Sequence, residues 1–230
     1  MKRINFWFKR KIIIQWLLAS ALLLSVLVVW LVFFSERNYL DQKIFSLIEP
    51  HRSEIRTRLM LAVSFLGNHK FLIPANLLLI TIFLFSKNKW EAVQVAAVSL
   101  SSLLFMSLLK NSFRRSRPDN PLVDAITNFS FPSGHAFMSA AFYGLLIWWA
   151  ATYIKNGWQR RLVILFLMML IIIISFSRIY LRVHYASDVV VGLCIGFVCL
   201  SISLAILQRL QKKEETKKKP LANSYKQTSE

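Results

Sequence analysis

The stretch at residues 177–188, which reads SRIYLRVHYASD, combines two arginines, a histidine and an aspartate between two long apolar runs. Charged groups beside membrane-length apolar sequence are costly, and they usually mark a functional site. Asp188 follows His184 by four residues. At that spacing its carboxylate could bind one imidazole nitrogen and leave the other free to attack, as Asp does beside His in a serine-protease triad. The stretch is therefore a candidate for nucleophilic chemistry.

A second polar segment, residues 110–118, reads KNSFRRSRP and is rich in cations. Lys110 and Arg117 in this segment, together with Arg178, have too few acidic neighbours in the sequence to be neutralised by them. Cations that clamp a phosphoryl group are a standard means of stabilising its charge during transfer. These three side chains therefore predict a phosphate site.

A third segment, residues 132–135, reads PSGH and is expected to begin a helix. Glycine lets the backbone approach a ligand closely, and the free N–H groups of a helix N-terminus favour an anion. Ser133 and Gly134 are therefore candidate phosphate ligands. His135 follows them, and His135 and His184 could serve as a nucleophile and a general acid.

Each of these signals, taken singly, has an ordinary structural explanation. An Arg-Pro pair is common in turns, and Pro-Ser-Gly is a usual start for a helix. Lys110 and Arg178 could simply extend to lipid headgroups. The combination of all three segments on one side of a membrane is what indicates a functional site.

The rest of the chain is apolar enough to hold these segments at a membrane surface. Of its 230 residues, 56% are hydrophobic, and the mean hydropathy is +0.49, which argues against a soluble domain. Six stretches without Asp, Glu, Lys or Arg approach the ~20 residues that a helix needs to cross a bilayer. They are residues 12–34, 71–86, 92–109, 136–154, 162–177 and 189–208. The sequence predicts an all-α integral membrane protein with six transmembrane helices in a bundle.

The basic residues predict how the bundle is oriented. The formal net charge is +18, but the lysines and arginines flank the apolar spans and do not form one face. This distribution fits the positive-inside rule better than nucleic-acid binding. With the N-terminus in the cytoplasm, 17 of the 29 basic residues lie at cytoplasmic ends. Both termini are then cytoplasmic, and the three polar segments meet on the outer side.

Three regions follow from this layout: a basic cytoplasmic lead at 1–11, a six-helix membrane domain at 12–208, and a lysine-rich cytoplasmic tail at 209–230 that is expected to be disordered. Residues 36–58 suit either a short amphipathic helix on the outer surface or a plain linker. The apolar run at 59–66 could begin the second span early.

The three segments together resemble the motifs of the type-2 phosphatidic acid phosphatase superfamily. Those motifs are Lys-x6-Arg-Pro, then Pro-Ser-Gly-His, then Ser-Arg-x5-His-x3-Asp, and the chain matches every defining position. The six-span layout extends the resemblance over residues 12–208 and leaves the lead and the tail uncovered.

The resemblance implies a role for each matching residue. His184 is expected to attack phosphorus and form a phosphohistidine, and Asp188 to orient it. His135 is expected to protonate the leaving oxygen and then to activate water. The residues implied to bind the phosphate oxygens are Lys110, Arg117, Ser133, Gly134 and Arg178. The family needs no metal or other cofactor. The remaining arginines of the segments, Arg114, Arg115 and Arg182, are interpreted as headgroup or surface contacts.

The resemblance further implies a lipid phosphatase of the bacterial plasma membrane whose site faces the exterior. Family substrates include phosphatidylglycerol phosphate, phosphatidic acid, undecaprenyl pyrophosphate and lipid A phosphates. The expected partners are a phosphorylated lipid and membrane lipids, and no nucleic acid. A phosphotransferase that passes the same phosphate to another lipid is the alternative. Vanadate-dependent haloperoxidases share the phosphate pocket, but they are larger and soluble, so the apolar spans argue against that class. The intact set of ionisable residues argues against a non-enzymatic scaffold.

Overall fold

The computed structural model describes residues 2–34, 39–123 and 128–227, and within these ranges the chain forms helices and no strand. The helices are α1 Lys2–Phe33, α2 Tyr39–Ile48, α3 Glu54–Phe65, α4 His69–Phe85, α5 Lys89–Phe113, α6 Gly134–Tyr153, α7 Gly157–Tyr180 and α8 Ala186–Gln227, with a 3-10 turn at Glu49–His51.

Six stretches in the described part of the chain are long and apolar enough to cross a membrane. They are Gln15–Phe33, Glu54–Phe85, Lys89–Phe113, Gly134–Tyr153, Gly157–Tyr180 and Ala186–Glu214. The predicted all-α fold with six transmembrane helices is thereby confirmed. The second span consists of α3 and α4 in succession, so it begins well before residue 71, as the apolar run at 59–66 indicated.

The break between α3 and α4 follows from the local sequence. Asn68 adopts an extended backbone, and its side-chain oxygen accepts a hydrogen bond from the Lys70 backbone N–H at 2.9 Å, so that the helix restarts at α4. Gly67 lies in the break against α7, where an added Cβ would lie only 2.5 Å from Ile174 Cγ2. The break therefore packs closely against a neighbouring span.

The central helix of the bundle is α6, which packs against α5, α7 and α8. Of its span 56% is buried inside the protein, compared with 6% for each of the first two spans. The outward faces of the peripheral spans carry large apolar side chains such as Leu23, Leu77 and Phe166. These faces suit contact with lipid tails.

The amphipathic segment at 36–58 contains a helix, α2, and is not a plain linker; residues 36–38 lie outside the described residues. Asp41 and Phe45, one turn apart on α2, are both buried. The Phe45 ring packs against Tyr185, with 5.8 Å between ring centroids. The helix is therefore anchored to the turn that connects α7 with α8.

At the other end of the chain, α8 continues as a helix to Gln227, whereas the tail at 209–230 is expected to be disordered from its composition. Two physical effects favour the helix. Lysine and glutamate have good helix propensity, and a helix that already exists extends without a new nucleation cost.

A close crossing of α6 and α8 fixes the region where the polar segments meet. An added Cβ at Gly192 would lie 2.7 Å from the Ser133 carbonyl oxygen, so glycine is needed for this approach. The backbone N–H of Ser133 also donates to the carbonyl oxygen of Asp188 at 3.0 Å. Backbone contacts therefore join the segments at 132–135 and 177–188.

Candidate active site

The polar segments come together at one end of the bundle, where several helices begin or end. Lys110 lies in the last turn of α5 and His135 in the first turn of α6. Arg178 lies in the last turn of α7, Asp188 in the first turn of α8, and His184 in the turn between these two helices. Six candidate residues line one cavity, namely Lys110, Arg117, Gly134, His135, Arg178 and His184.

The imidazole of His184 is buried, with 2% of its side chain exposed. Its Nδ1 lies 3.5 Å from Asp188 Oδ2 and its Nε2 lies 3.4 Å from Arg117 Nη1. A guanidinium can only donate hydrogen bonds, so this geometry favours the tautomer with an unprotonated Nε2 and a proton on Nδ1 facing Asp188. Burial lowers the pKa of His184 to about 4, although Asp188 opposes the shift. The imidazole is therefore neutral at pH 7.

Asp188 is held on both carboxylate oxygens. Oδ2 accepts hydrogen bonds from Ser130 Oγ at 2.5 Å and from the Tyr185 backbone N–H at 3.0 Å. Oδ1 accepts from Arg115 Nη1 at 2.5 Å. A carboxylate with donors on both oxygens is fixed in orientation, and Asp188 in turn faces the histidine.

His135 contributes a buried polar atom to the site. Its Nε2 is buried and has no hydrogen bond to any described residue, while the residue lines the cavity. Buried polar atoms without partners are rare and usually await a ligand or water. His135 can therefore exchange a proton with a group bound in the cavity.

Three cations surround the same space. Lys110 Nζ donates to the Phe129 carbonyl oxygen at 2.6 Å, and Arg117 Nη1 donates to the Val183 carbonyl oxygen at 2.6 Å. No carboxylate of the described ranges forms an ion pair with Lys110, Arg117 or Arg178. An anion in the cavity would therefore complete the charge balance.

Arg178 is the most enclosed of these cations, with 5% of its surface exposed. Its Nη1 donates to Ser64 Oγ of α3 at 2.5 Å, whereas its Nε has no hydrogen-bond partner among the described residues. Burying a charged donor costs free energy unless it is hydrogen-bonded. Arg178 is thus oriented by α3, and its Nε–H is a donor that a ligand could use.

Ser133 and Gly134 occupy different positions at the start of α6. Gly134 lines the cavity and opens the helix, so its N–H is one of the donors left free at a helix N-terminus. Ser133 is fully buried and is not among the residues that line the cavity, and its Oγ makes no hydrogen bond to a described residue. The structure therefore places Gly134, but not Ser133, at the cavity surface.

The cavity continues from this cationic end along the second and third spans, and its volume is about 850 Å³. Its far walls are apolar and come from α4 and α5, for example Leu72, Ile80 and Leu103. Leu77 and Leu100, which also line it, have 58% and 66% of their surfaces exposed on the outside of the bundle. The cavity therefore reaches the lipid-facing surface between α4 and α5.

The model of the PAP2 superfamily matches residues 91–212, just over half of the chain. This chain belongs to the PAP2 superfamily. It is accordingly a multi-pass membrane enzyme, a phosphoric monoester hydrolase acting on lipid phosphates. The matched range begins in α5 and includes all three polar segments, but it leaves out α1 to α4.

Curated PAP2 relatives share moderate identity with the chain. Phosphatidylglycerophosphatase B of Bacillus subtilis is 28% identical over 152 residues, which is 65% of this chain and 72% of the relative. Decaprenylphosphoryl-5-phosphoribose phosphatase of Mycobacterium tuberculosis is 37% identical over 93 residues, which is 39% of this chain and 46% of the relative.

Two solved structures have a similar fold. The transmembrane PAP2-type phosphatidylglycerolphosphate phosphatase from Bacillus subtilis superposes with a TM-score of 0.73 at 21% identity, over 84% of this chain and 96% of that one. LpxE from Aquifex aeolicus gives a TM-score of 0.55 at 29% identity, over 72% of this chain and 95% of that one. The first of these shows that the six-span PAP2 fold extends beyond the range matched by the family model.

The interpretation of Arg115 as a headgroup or surface contact is wrong. Its side chain is 9% exposed and forms ion pairs with Asp188 and with Asp41 of α2. The neighbouring Arg114 is exposed. It adopts a left-handed backbone (φ 45°) that ends α5, and this change of backbone direction turns the next side chain, that of Arg115, inward. Arg182, also expected at the surface, pairs with Glu49 at 3.8 Å and is about one-fifth exposed.

Ser64, Ser130 and Asp41 also contact the site but were not identified from the sequence. Ser64 and Asp41 come from the first half of the chain, far from the motifs, and only the folded bundle brings them near. A usable signal existed for Ser130 alone, since it lies two residues before the segment at 132–135. In the described ranges, no three His, Cys, Asp or Glu side chains are grouped as metal ligands would be.

Proposed function

We propose that this PAP2 enzyme hydrolyses lipid phosphate monoesters or pyrophosphates through a phosphohistidine formed on His184. One observation carries the proposal. The neutral imidazole has the Asp188 carboxylate on its Nδ1 side at 3.5 Å, while its other nitrogen faces the cation-lined cavity. This arrangement leaves an unprotonated Nε2 beside Arg117, one of the cations that an anion in the cavity would balance.

In the first step, Nε2 of His184 attacks phosphorus, and the bond between phosphorus and the lipid oxygen breaks. The electron pair of that bond leaves with the lipid oxygen, which takes a proton from His135. The positive charge that develops on His184 is stabilised by Asp188, and the charge on the phosphoryl oxygens by Lys110, Arg117 and Arg178.

In the second step, His135 removes a proton from water, and the water oxygen attacks the phosphorus of the phosphohistidine. The P–N bond breaks, His184 recovers its neutral imidazole, and inorganic phosphate leaves. His135 ends the step protonated, ready for the next first step. One residue can serve in both directions because the second step reverses the proton transfer of the first.

The shape of the cavity favours a substrate whose phosphate is attached to a lipid. One end is cationic and the other runs as an apolar channel to the bundle surface, so a phosphate can bind while its apolar chain stays in the membrane. The names of two relatives, a phosphatidylglycerophosphatase and a decaprenylphosphoryl-5-phosphoribose phosphatase, both indicate phosphates carried on long lipids. We infer the same class of substrate here.

The proposal includes the orientation. Lysine and arginine are in excess in four segments, namely the N-terminal lead, the Lys87–Lys89 turn, the Lys155–Arg161 turn and the tail. This excess favours a cytoplasmic location for all four. The site then lies at the extracytoplasmic face, and both termini lie in the cytoplasm of a bacterial plasma membrane.

The deciding experiment uses the full chain, purified in detergent, and measures phosphate release from phosphatidylglycerol phosphate, phosphatidic acid and undecaprenyl pyrophosphate. A 32P-labelled substrate should give an acid-labile phosphoenzyme in the wild type and none in His184→Gln. Turnover by His184→Gln at the wild-type rate would overturn the mechanism. Addition of a lipid alcohol tests the transferase alternative, since a transferase would place the label on lipid and not in free phosphate.

A further inference from the structure

Behind His184, a chain of buried ion pairs connects Asp188 to helix α2. Arg115 donates from Nη1 to Asp188 Oδ1 at 2.5 Å and from Nη2 to Asp41 Oδ2 at 3.0 Å. The side chains of Arg115, Asp41 and Asp188 are 9%, 6% and 0% exposed. Charges this far from water are tolerated only when they are paired, so the three groups depend on one another.

Further contacts leave Arg115 little freedom to move. Its guanidinium lies over the Tyr185 ring, 3.9 Å from the centroid, and its Nη1 also donates to Ser187 Oγ at 2.8 Å. Asp41 in turn accepts from the Ser187 backbone N–H at 3.0 Å and from Ser187 Oγ at 2.6 Å. Asp41 therefore binds both the arginine and the first turn of α8, which carries Asp188.

The orientation of Asp188 matters because it sets the orientation of the nucleophile. Rotation of the carboxylate would withdraw Oδ2 from Nδ1 of His184 and allow the imidazole to turn away from the cavity. The contact between Arg115 and Oδ1 opposes this rotation from the side that lies away from His184. Outer partners of this kind fix the direction and basicity of histidines that bind metals.

We propose that Asp41 and Arg115 are positioning residues for phosphoryl transfer, and that α2 is thereby part of the machinery of the enzyme. The inference rests on the proposed role of His184 as nucleophile. Neither residue lines the cavity, so both act through Asp188. Asp41 also lies outside the range of the family model, at residues 91–212, so this contact joins the family core to a segment that the model does not cover.

Asp41→Asn is the first test, because it keeps the shape of the side chain and removes its charge. Without the second carboxylate, Arg115 holds Asp188 less firmly, and kcat should fall about tenfold, the lower end of the range for lost orienting partners. KM should not change, since Asp41 does not touch substrate. Glu54→Gln is the matched control, because Glu54 pairs with Arg58 at the surface, with both side chains 78% exposed.

Arg115→Lys tests the bridge itself. Lysine keeps the charge, but a single ammonium group cannot reproduce the two-sided fork of a guanidinium. We expect a larger loss of kcat than in Asp41→Asn, while Arg114→Lys at the adjacent exposed position should behave like the wild type. Thermal unfolding of each variant in detergent shows whether the protein remains folded under the assay conditions.

The double variant Asp41→Asn/Arg115→Gln separates positioning from a general structural effect. If Asp41 acts through Arg115, removing both should cost no more in kcat than Arg115→Gln alone. If the losses of kcat from the two substitutions multiplied, Asp41 would work independently of Arg115. This result would overturn the proposal that Asp41 acts through Arg115. Wild-type kcat in Asp41→Asn would overturn it as well.

A pre-steady-state measurement keeps this inference distinct from the proposed function. Formation of the 32P-phosphoenzyme should be slower in Asp41→Asn than in the wild type, for a lipid substrate and for p-nitrophenyl phosphate alike, because the nucleophile itself is misaligned. Equal rates of formation would overturn the positioning role alone. If the wild type forms no phosphohistidine, the role of His184 fails, and the positioning inference that rests on it fails too.

Discussion

The two histidines of the site are asymmetric in their surroundings, and this asymmetry separates their expected roles. His184 has a carboxylate at 3.5 Å, whereas the buried Nε2 of His135 has no partner in the described part of the chain. A histidine that is oriented by an acid suits attack, and one with an open nitrogen suits proton exchange with substrate.

A substrate comparison tests this division. General acid catalysis is worth roughly 10²–10⁴-fold and helps a poor leaving group most. His135→Ala should therefore slow the first cleavage of phosphatidic acid far more than that of p-nitrophenyl phosphate, which has a good leaving group. Single-turnover product release measures this step. His184→Ala should lose cleavage activity on both substrates equally. If His135→Ala also lost the same activity on both substrates, His135 would only bind phosphate.

The lowered pKa of His184 predicts how stability depends on pH. Because the folded pKa is about 4 and the usual value is 6.5, the unfolded chain binds a proton between these values that the folded chain does not. The neutral His184 therefore contributes to the free energy of unfolding. This contribution is present in full above pH 6.5 and is lost as the pH falls toward 4.

Thermal unfolding of the detergent-solubilised protein between pH 4 and 7 measures this effect. The melting temperature of the wild type should rise with pH across the window, and His184→Gln should show a shallower rise because the titrating group is gone. Identical slopes in the two proteins would contradict the assignment.

At the scale of elements, α3 makes the contact that orients Arg178. Ser64→Ala would leave Arg178, which is 5% exposed, without its partner at Nη1, and a lost hydrogen bond to a charged group costs about 1.5–3 kcal/mol. We expect kcat/KM to fall by about tenfold or more, with the loss of phosphate affinity visible as weaker inhibition by vanadate. Ser86→Ala, at the far end of α4, serves as the control and should leave both quantities unchanged.

The elements also mark the limit of what could be predicted from the sequence. The six spans follow from apolar stretches, since a membrane imposes a length and a composition on each of them. The burial of α2 depends on packing against other helices, which hydropathy does not report. Arg114 and Arg115 show the same limit. The sequence does not tell which of two adjacent arginines is buried until the backbone turn at the end of α5 is known.

For the site, the motif residues could be selected because their types and order are specific. Their supports could not, because Ser64 and Asp41 are a common serine and a common aspartate far away in the chain. Nothing in their neighbours indicates which buried cation they will meet. Side chains that position others are thus harder to find in a sequence than side chains that react.

For the molecule as a whole, the proposed orientation predicts which loops are reachable from outside the cell. Single cysteines in place of Asp119 and Lys155, both exposed, should differ in labelling by an impermeant maleimide on intact cells, in a background carrying Cys194→Ala and Cys199→Ala. Asp119→Cys should be labelled and Lys155→Cys should not. The reverse pattern would place the site in the cytoplasm.

The backbone contacts between α6 and α8 bear on how this enzyme could change its substrate. Gly192 and the Ser133–Asp188 hydrogen bond fix the two histidine-bearing segments relative to each other, so the gap that receives phosphorus is set by main chain. The apolar walls, where we propose that the lipid chain binds, come from α4 and α5. His135, His184 and Asp188 therefore lie on other segments than the apolar wall, and we expect exchanges at Leu77 and Leu100 to change the lipid preference more than the rate of phosphoryl transfer.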